Sequence, residues 1–310
     1  MEYKHVPVMP TEVLQALRPK DGGRYADGTI GGGGHAEMIL EASKLGGWLG
    51  GSDRDGAAVE AASSRLAPFA GRFEIRKGSF ASLVDWIEPG SLDGVLLDLG
   101  VSSPQLEWPD RGFSLLRDGP LDMRMDAEES VTAANIINGE TEVKLADIIW
   151  RLGGERKSRK IAKAIVRARE KKEIKTTKVL AEIIETVKPR RGKKTHPATN
   201  VFQALRIKVN DEFGELTRGL KSVSSLLREE GRLAVITFHS GEDRIVKDYG
   251  NVETRDYDVL GKEDVPVLRV DRPQRMRWIN RKAICATEEE VAANPRARSA
   301  QLRVLEKMRK

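Results

Sequence analysis

Gly31, Gly33 and Ala36 fit the spacing G-x-G-x-x-G/A, and Asp53 follows twenty residues after Gly33. In that pattern the missing side chains let backbone approach a ligand at a helix N-terminus, while the acid accepts hydrogen bonds from ribose hydroxyls. Phe80, in Gly78-Ser79-Phe80, follows a third apolar stretch where an aromatic could lie against an adenine, and Asp98 closes a fourth. Singly, a glycine turn or an acid at a strand end is as readily a turn or capping residue. Four such ends in series point to a cofactor that contains a nucleoside. No G-x-x-x-x-G-K-[ST] accompanies them, which argues against a P-loop nucleotidase. Asp27, just ahead of the glycines, would repel a pyrophosphate. S-adenosylmethionine has no phosphate and brings a positive sulfonium and amine, so an acid there is tolerated. Charge therefore favours methyl transfer, while a nicotinamide-dependent oxidoreductase sharing the same turn stays open.

These residues need elements to hold them. Arg24-Tyr25-Ala26 reads as a short strand running into Asp27, Trp48 to Ser52 as a second ending at Asp53, and Phe73 to Arg76 as a third. Leu92 to Leu99 is the strongest, its Val95-Leu96-Leu97 centre suited to burial on both faces of a sheet. Helical stretches at 10–17, 35–43 and 57–66 alternate with them, the signature of βαβ units and a parallel sheet. From 107 to 199 no strand is expected: Leu145, Ile148, Ile149 and Leu152 form one helical stripe, Ile161, Ala164, Ile165 and Ala168 another, and Val179, Leu180, Ile183, Ile184 and Val187 a third. Alternation then resumes with a helix over 213–227 capped by Gly231, a strand over 232–238, a helix over 241–249 capped by Ser240 or Asp243, and strands at 282–286 and 300–306. The expectation is an α/β sheet domain in two parts, residues 1–106 and 200–310, interrupted by an all-helical domain at 107–199.

Composition sets the outer bounds. At 39% hydrophobic and 32% charged residues, the 310-residue chain is neither disordered nor membrane-embedded. No apolar run nears the roughly 20 residues that span a bilayer, and no secretory pattern opens the sequence, so a cytoplasmic protein is expected. Cys285 is the single cysteine, expected to be an inert core residue. His5, His35, His196 and His239 show no metal-ligand spacing, so no metal is expected. Net charge is +6, yet residues 151–194 hold seventeen Lys and Arg against five acids, leaving the remainder net negative. Such a basic zone suits a polyanion or a merely solvated helical face. Arg156, Lys157, Arg159 and Lys160 are candidate phosphate contacts, as are Arg275 and Arg277 beside Trp278, an indole suited to stacking on a base or to packing.

Several ordered segments carry a resemblance. They are Asp27-Gly28-Thr29 with Gly33-Gly34-His35, Leu97-Asp98-Leu99-Gly100-Val101-Ser102-Ser103-Pro104-Gln105-Leu106, Arg111-Gly112-Phe113-Ser114, and Asp118 to Met125. Later come His196-Pro197-Ala198-Thr199, Phe202 to Ile207, Phe238-His239-Ser240, Glu242-Asp243-Arg244, and Asn294 to Ser299. Together these resemble the bacterial 16S ribosomal RNA cytosine N4-methyltransferases of the MraW type, over nearly the whole chain. The resemblance implies a Rossmann-like S-adenosylmethionine-dependent methyltransferase sheet with an inserted helical domain. It also implies a substrate on the small ribosomal subunit, the exocyclic N4 of a P-site cytidine in 16S rRNA, and no membrane partner. It assigns the cofactor to Gly33, Gly34, His35, Asp53, Phe80, Asp98 and Gln105. Two departures are modest: four consecutive glycines, Gly31 to Gly34, replace a mixed loop that is cheaper to order, and Ile30 stands where an aromatic is common. Many amino-methyltransferases follow the fourth strand with an acid or amide, two prolines and an aromatic; the stretch after Asp98 lacks it. Asp98 is thus left to hold cofactor, to position N4, or both. A non-catalytic RNA-binding assembly factor would be expected to lose Asp98 or the glycines, and both are present.

Overall fold

Apolar runs closed by Asp or Lys become parallel strands, and the amphipathic stretches between them become the helices that cover the sheet. The computed structural model describes residues 7–100, 108–190, 192, 195–261 and 263–309. The chain divides into two compact units, one built from residues 1–100 and 213–310, the other from 101–212.

In the first unit, α1 (Pro10–Leu17), α2 (Gly34–Ala42) and α3 (Gly56–Arg65) alternate with β1 (Arg24–Asp27), β2 (Trp48–Asp53), β3 (Phe73–Lys77) and β4 (Leu92–Asp98). The second unit holds α4 (Ala133–Gly139), α5 (Glu142–Gly153), α6 (Ser158–Arg169), α7 (Thr177–Val187) and α8 (Thr199–Asn210). The chain continues with α9 (Glu212–Leu226), β5 (Leu227–Thr237), α10 (Ser240–Glu253), β6 (Tyr257–Val259), β7 (Arg269–Asp271), β8 (Met276–Trp278), β9 (Ile284–Cys285), α11 (Glu288–Ala293) and β10 (Gln301–Lys307).

The main sheet runs β3-β2-β1-β4-β5-β10-β8, with β9 also on β10. β3 through β5 are mutually parallel, and β10 returns antiparallel to β5. Strand order reverses at the β1–β4 pair, and open α/β sheets bind ligands beyond the carboxyl ends at such a point. Neighbouring β4 residues face opposite ways. Leu96 joins Ile39, Leu40, Leu49 and Leu66 on one face, while Val95 and Leu97 join Leu83, Leu216, Leu220 and Val223 on the other.

The second unit has its own core of Leu145, Ile149, Ile161, Ile165, Leu180, Ile184, Phe202 and Leu205. Helix α8 belongs to this unit, although a boundary at 199 assigns it to the sheet; its Val201, Phe202 and Leu205 are needed to close the helical core. Thr132, Thr141 and Thr176 each cap the helix that follows, accepting from a backbone N–H three residues on.

Four local expectations change. The left-handed residue between α9 and the pairing part of β5 is Glu230 rather than Gly231, and β5 is irregular there. Helix α10 is capped by His239, in a reciprocal box with Glu242, and not by Ser240 or Asp243. Only Ile284–Cys285 of the stretch 282–286 is a strand, and Cys285 is exposed because β9 lies at a sheet margin. The three-residue strands β6, β7 and β8 are too short for an apolar alternation to register in sequence. Among the described residues no helix is long and apolar enough to cross a membrane.

Candidate active site

Three aspartates end three adjacent parallel strands. Asp27 closes β1, Asp53 closes β2 and Asp98 closes β4. The loop after β1 ties them together. Gly31 N–H donates to Asp53 Oδ2 at 3.0 Å, Asp55 N–H donates to its Oδ1 at 2.9 Å, and the Asp98 N–H donates to Thr29 Oγ1 at 2.6 Å. The Thr29 N–H in turn donates to Asp27 Oδ1 at 3.1 Å. Gly31 and Gly33 both have positive φ, 50° and 77°. Gly33 also leaves room for α3, since a Cβ there would stand 3.2 Å from Ala62 Cα. Gly34 and His35 open α2, and His35 Nε2 stands 3.7 Å from Asp98 Oδ2, beyond hydrogen-bond reach.

The electrostatics are unusual for a sheet edge. Burial pushes the Asp27 carboxyl up to about 7, and the charges of Asp98 and Asp53 add to the rise, although bonds from Thr29 oppose it. Burial likewise raises Asp98 to about 7, with the Glu242 charge adding and the Gly100 N–H opposing. Asp53 rises to about 6 through burial, opposed by the amides of Asp55 and Gly31. Among the described residues no lysine or arginine pairs with any of the three. A cluster of acids that resists ionisation because it is desolvated is complementary to a cationic ligand.

Phe80 begins a 3-10 turn at the end of β3 and is held from behind by α9. A methyl group on Gly219 would overlap the Phe80 ring, so glycine there leaves the ring its room. Ser79 caps the turn by accepting from the Ala81 N–H at 3.1 Å, and its hydroxyl donates to Glu215 of α9. Burial works against ionisation of Glu215, yet bonds from Ser79 and Arg218 and the charge of Arg54 hold its carboxyl below the usual range. Thr29, Glu215, Gly219 and Glu242 thus belong to the site, although of these only Thr29 and Glu242 stand in segments that the sequence singles out, Asp27-Gly28-Thr29 and Glu242-Asp243-Arg244. Gln105 lies outside the described residues.

The sequence profile of the MraW methylase family matches residues 2–308. The chain belongs to that family. A Geobacter protein named ribosomal RNA small subunit methyltransferase H is 46% identical over 312 residues, covering 99% of each chain. One of the same name from Stenotrophomonas maltophilia is 48% identical over 309 residues, covering 98% of this chain and 93% of its own. A putative rRNA-methylase structure from Clostridium thermocellum aligns with a TM-score of 0.45 at 11% identity, over 98% of this chain and 100% of that one. As a member of this family the chain is a class I methyltransferase with S-adenosylmethionine as its cofactor. The residues fit that molecule: the buried acids would be ionised by its sulfonium and amine, and the open Gly31–Gly33 turn leaves backbone bare beside them.

The two sets of basic candidates differ in their surroundings. Arg275 pairs with Glu253 and Asp258, and Arg277 Nε donates to Glu306 at 2.8 Å. Trp278 packs on α10, where a methyl on Gly250 would overlap its ring, and the Arg303 guanidinium lies 5.9 Å from its centroid. In the helical unit, Arg156, Arg159 and Lys160 are exposed with no partner among the described residues, and Lys157 Nζ donates to the Val187 carbonyl at 3.1 Å.

Proposed function

We propose that this chain methylates the exocyclic N4 of a P-site cytidine in small-subunit 16S rRNA, with Gly33, Gly34, His35, Asp53, Phe80 and Asp98 contacting the cofactor, and Gln105 alongside them. The observation that carries the reading is the convergence of Asp27, Asp53 and Asp98, whose carboxyls influence one another at adjoining strand ends. Family membership and the naming of relatives for small-subunit rRNA methylation supply the substrate class.

S-adenosylmethionine supplies an electrophilic methyl on a positive sulfur. The chain's own contribution begins with electrostatics: ionised Asp27, Asp53 and Asp98 favour that charge in a desolvated cleft. The cytosine amine is a poor nucleophile because its lone pair is delocalised into the ring. A carboxylate oxygen of Asp98 accepting an N4–H would draw the nitrogen toward tetrahedral geometry and take up the proton released once the N–C bond forms. A group that titrates near 7 suits that exchange at neutral pH. Holding amine and methyl in line contributes a further ~7–11 kcal/mol in favourable cases. The base has to be unstacked to reach such a cleft. Arg156, Lys157, Arg159 and Lys160 would meet phosphate directly, whereas at Arg275 and Arg277 phosphate would first have to displace carboxylates.

The test is nucleoside mass analysis of small-subunit RNA after incubation with the protein and an isotope-labelled donor, on naked RNA and assembled subunits side by side. Label in N4-methylcytidine is expected on one of them. Label in another nucleoside, or in none, would refute the assignment.

A further inference from the structure

A groove of about 920 Å³ runs between α6 and α7 of the helical unit. Its rim carries Lys160, Lys163, Arg167, Lys171 and Lys172, all exposed. On α6, Lys160, Lys163 and Arg167 recur at spacings of three and four, so successive cations rise by about one 5.4 Å helical turn and repel their neighbours, and Lys171 and Lys172 follow in the turn after it. None of the five has a hydrogen-bond or ion-pair partner among the described residues. The single acid in the lining, Glu173, is taken by Lys175 at 3.2 Å. The floor is aliphatic, formed by Ala164, Ala168, Val179 and Ile183, and Val179 is 41% exposed. No aromatic residue lines it.

We infer that this groove seats a single RNA strand by its sugar-phosphate backbone, with phosphates on the lysine rim and riboses on the aliphatic floor. The inference rests on the rRNA reading above and places the strand on a surface that differs from the α6 N-terminal cluster except at Lys160. A polyanion with one charge per nucleotide matches a row of unneutralised cations repeating every helical turn. An acidic helix would have to carry an acid on every turn of one face to match the rim, whereas a nucleic-acid strand carries a phosphate at every nucleotide whatever its sequence. Without an aromatic platform the groove cannot stack bases, so binding there is independent of sequence. A concave aliphatic floor is out of reach of a duplex, whose backbones ride on the outside of a stiff cylinder.

The experiment uses the full chain carrying Lys163→Gln, Arg167→Gln, Lys171→Gln and Lys172→Gln, all at exposed positions of the helical unit. Affinity for a mixed-sequence single-stranded RNA, its uridine homopolymer and a duplex of equal length is measured between about 50 and 200 mM salt. Expected are equal affinities for the two single strands, weaker duplex binding, at least about tenfold loss in the variant, and a salt slope reduced by up to about 3. Cofactor affinity, melting temperature and kcat at saturating RNA should be unchanged. Val179→Glu, which removes no cation, should weaken single-strand binding as well. Unchanged affinity and slope in the fourfold variant would overturn the groove, as would an acidic peptide that competes while RNA does not. The direct binding readout separates this from the methylation reading: a variant that loses RNA affinity while the label falls outside N4-methylcytidine leaves the groove standing and removes the cytidine assignment.

Discussion

Two regions of this molecule carry unbalanced charge, and they hold it in opposite ways. At the sheet edge one buried carboxylate and two half-buried ones have no lysine or arginine paired with them among the described residues, and desolvation raises all three above the usual carboxylate range. On α6 and the turn after it, five exposed cations have no ion-pair partner among the described residues, so solvent and counterions screen them. A buried imbalance is therefore a pH-dependent device suited to a small cation, and an exposed one is a salt-dependent device suited to a polyanion. A third region sharpens the contrast. Arg232 and Arg277 both donate to Glu306, and Arg303 donates to Asp243, so those cations are structural.

The largest effect is expected from Asp98→Asn. It keeps shape but removes the ionisable group, so methyl transfer should fall by roughly 10²–10⁴-fold. The melting temperature at pH 8 should stay level or rise, because a neutral amide escapes the cost of burying charge. Near-normal turnover would separate Asp98 from the chemistry. Next comes Glu306→Ala in the paired region. It leaves Arg232 buried without its carboxylate, and a loss of about 3–5 kcal/mol in denaturant unfolding is expected; a loss below about 1 kcal/mol would show that the pair is screened like a surface one. Gly219→Ala acts more gently, because its methyl displaces the Phe80 ring at a cost of about 1–3 kcal/mol. That should appear as a raised KM for the methyl donor with kcat nearly kept, and equal KM values would mean that Phe80 does not touch the cofactor.

A dependence on pH is expected as well. With folded-state values of about 7, 6 and 7, the folded chain holds more protons than the unfolded chain across roughly pH 4–7. The stability these groups contribute is complete below the unfolded values and is lost as pH rises through the folded ones. The stability that these groups give the ligand-free protein should accordingly fall between about pH 4 and 7, whereas Asp98→Asn should lose less of it.

Much of this was legible in sequence because the information is local. Strand tips ending in Asp27, Asp53 and Asp98, the glycine turn, and the helical stripes on α5, α6 and α7 all follow from spacing over a few residues. Pairing across the fold was not legible. Glu306 meets Arg232 from 74 positions away, and Gly219 on α9 makes room for a ring at Phe80. A count of arginines around Trp278 therefore looks like a nucleic-acid surface until Asp258, Glu253 and Glu306 are seen beside them. The end of the helical insertion was missed for a similar reason: α8 is amphipathic in either unit, and only the open side of the helical core decides where it belongs. Cys285 stands among apolar sequence neighbours yet is exposed, because they lie on a margin strand.

The seating of a sulfonium among buried acids is tested most directly by calorimetric titration with S-adenosylmethionine near pH 6.5, in buffers of different ionisation enthalpy, beside its neutral thioether product. Proton release is expected on binding the donor, with less for the product, and donor affinity should climb as pH rises through about 6 to 7. Binding of the donor with no proton exchange, or with the same exchange as the product that lacks the sulfonium charge, would contradict it.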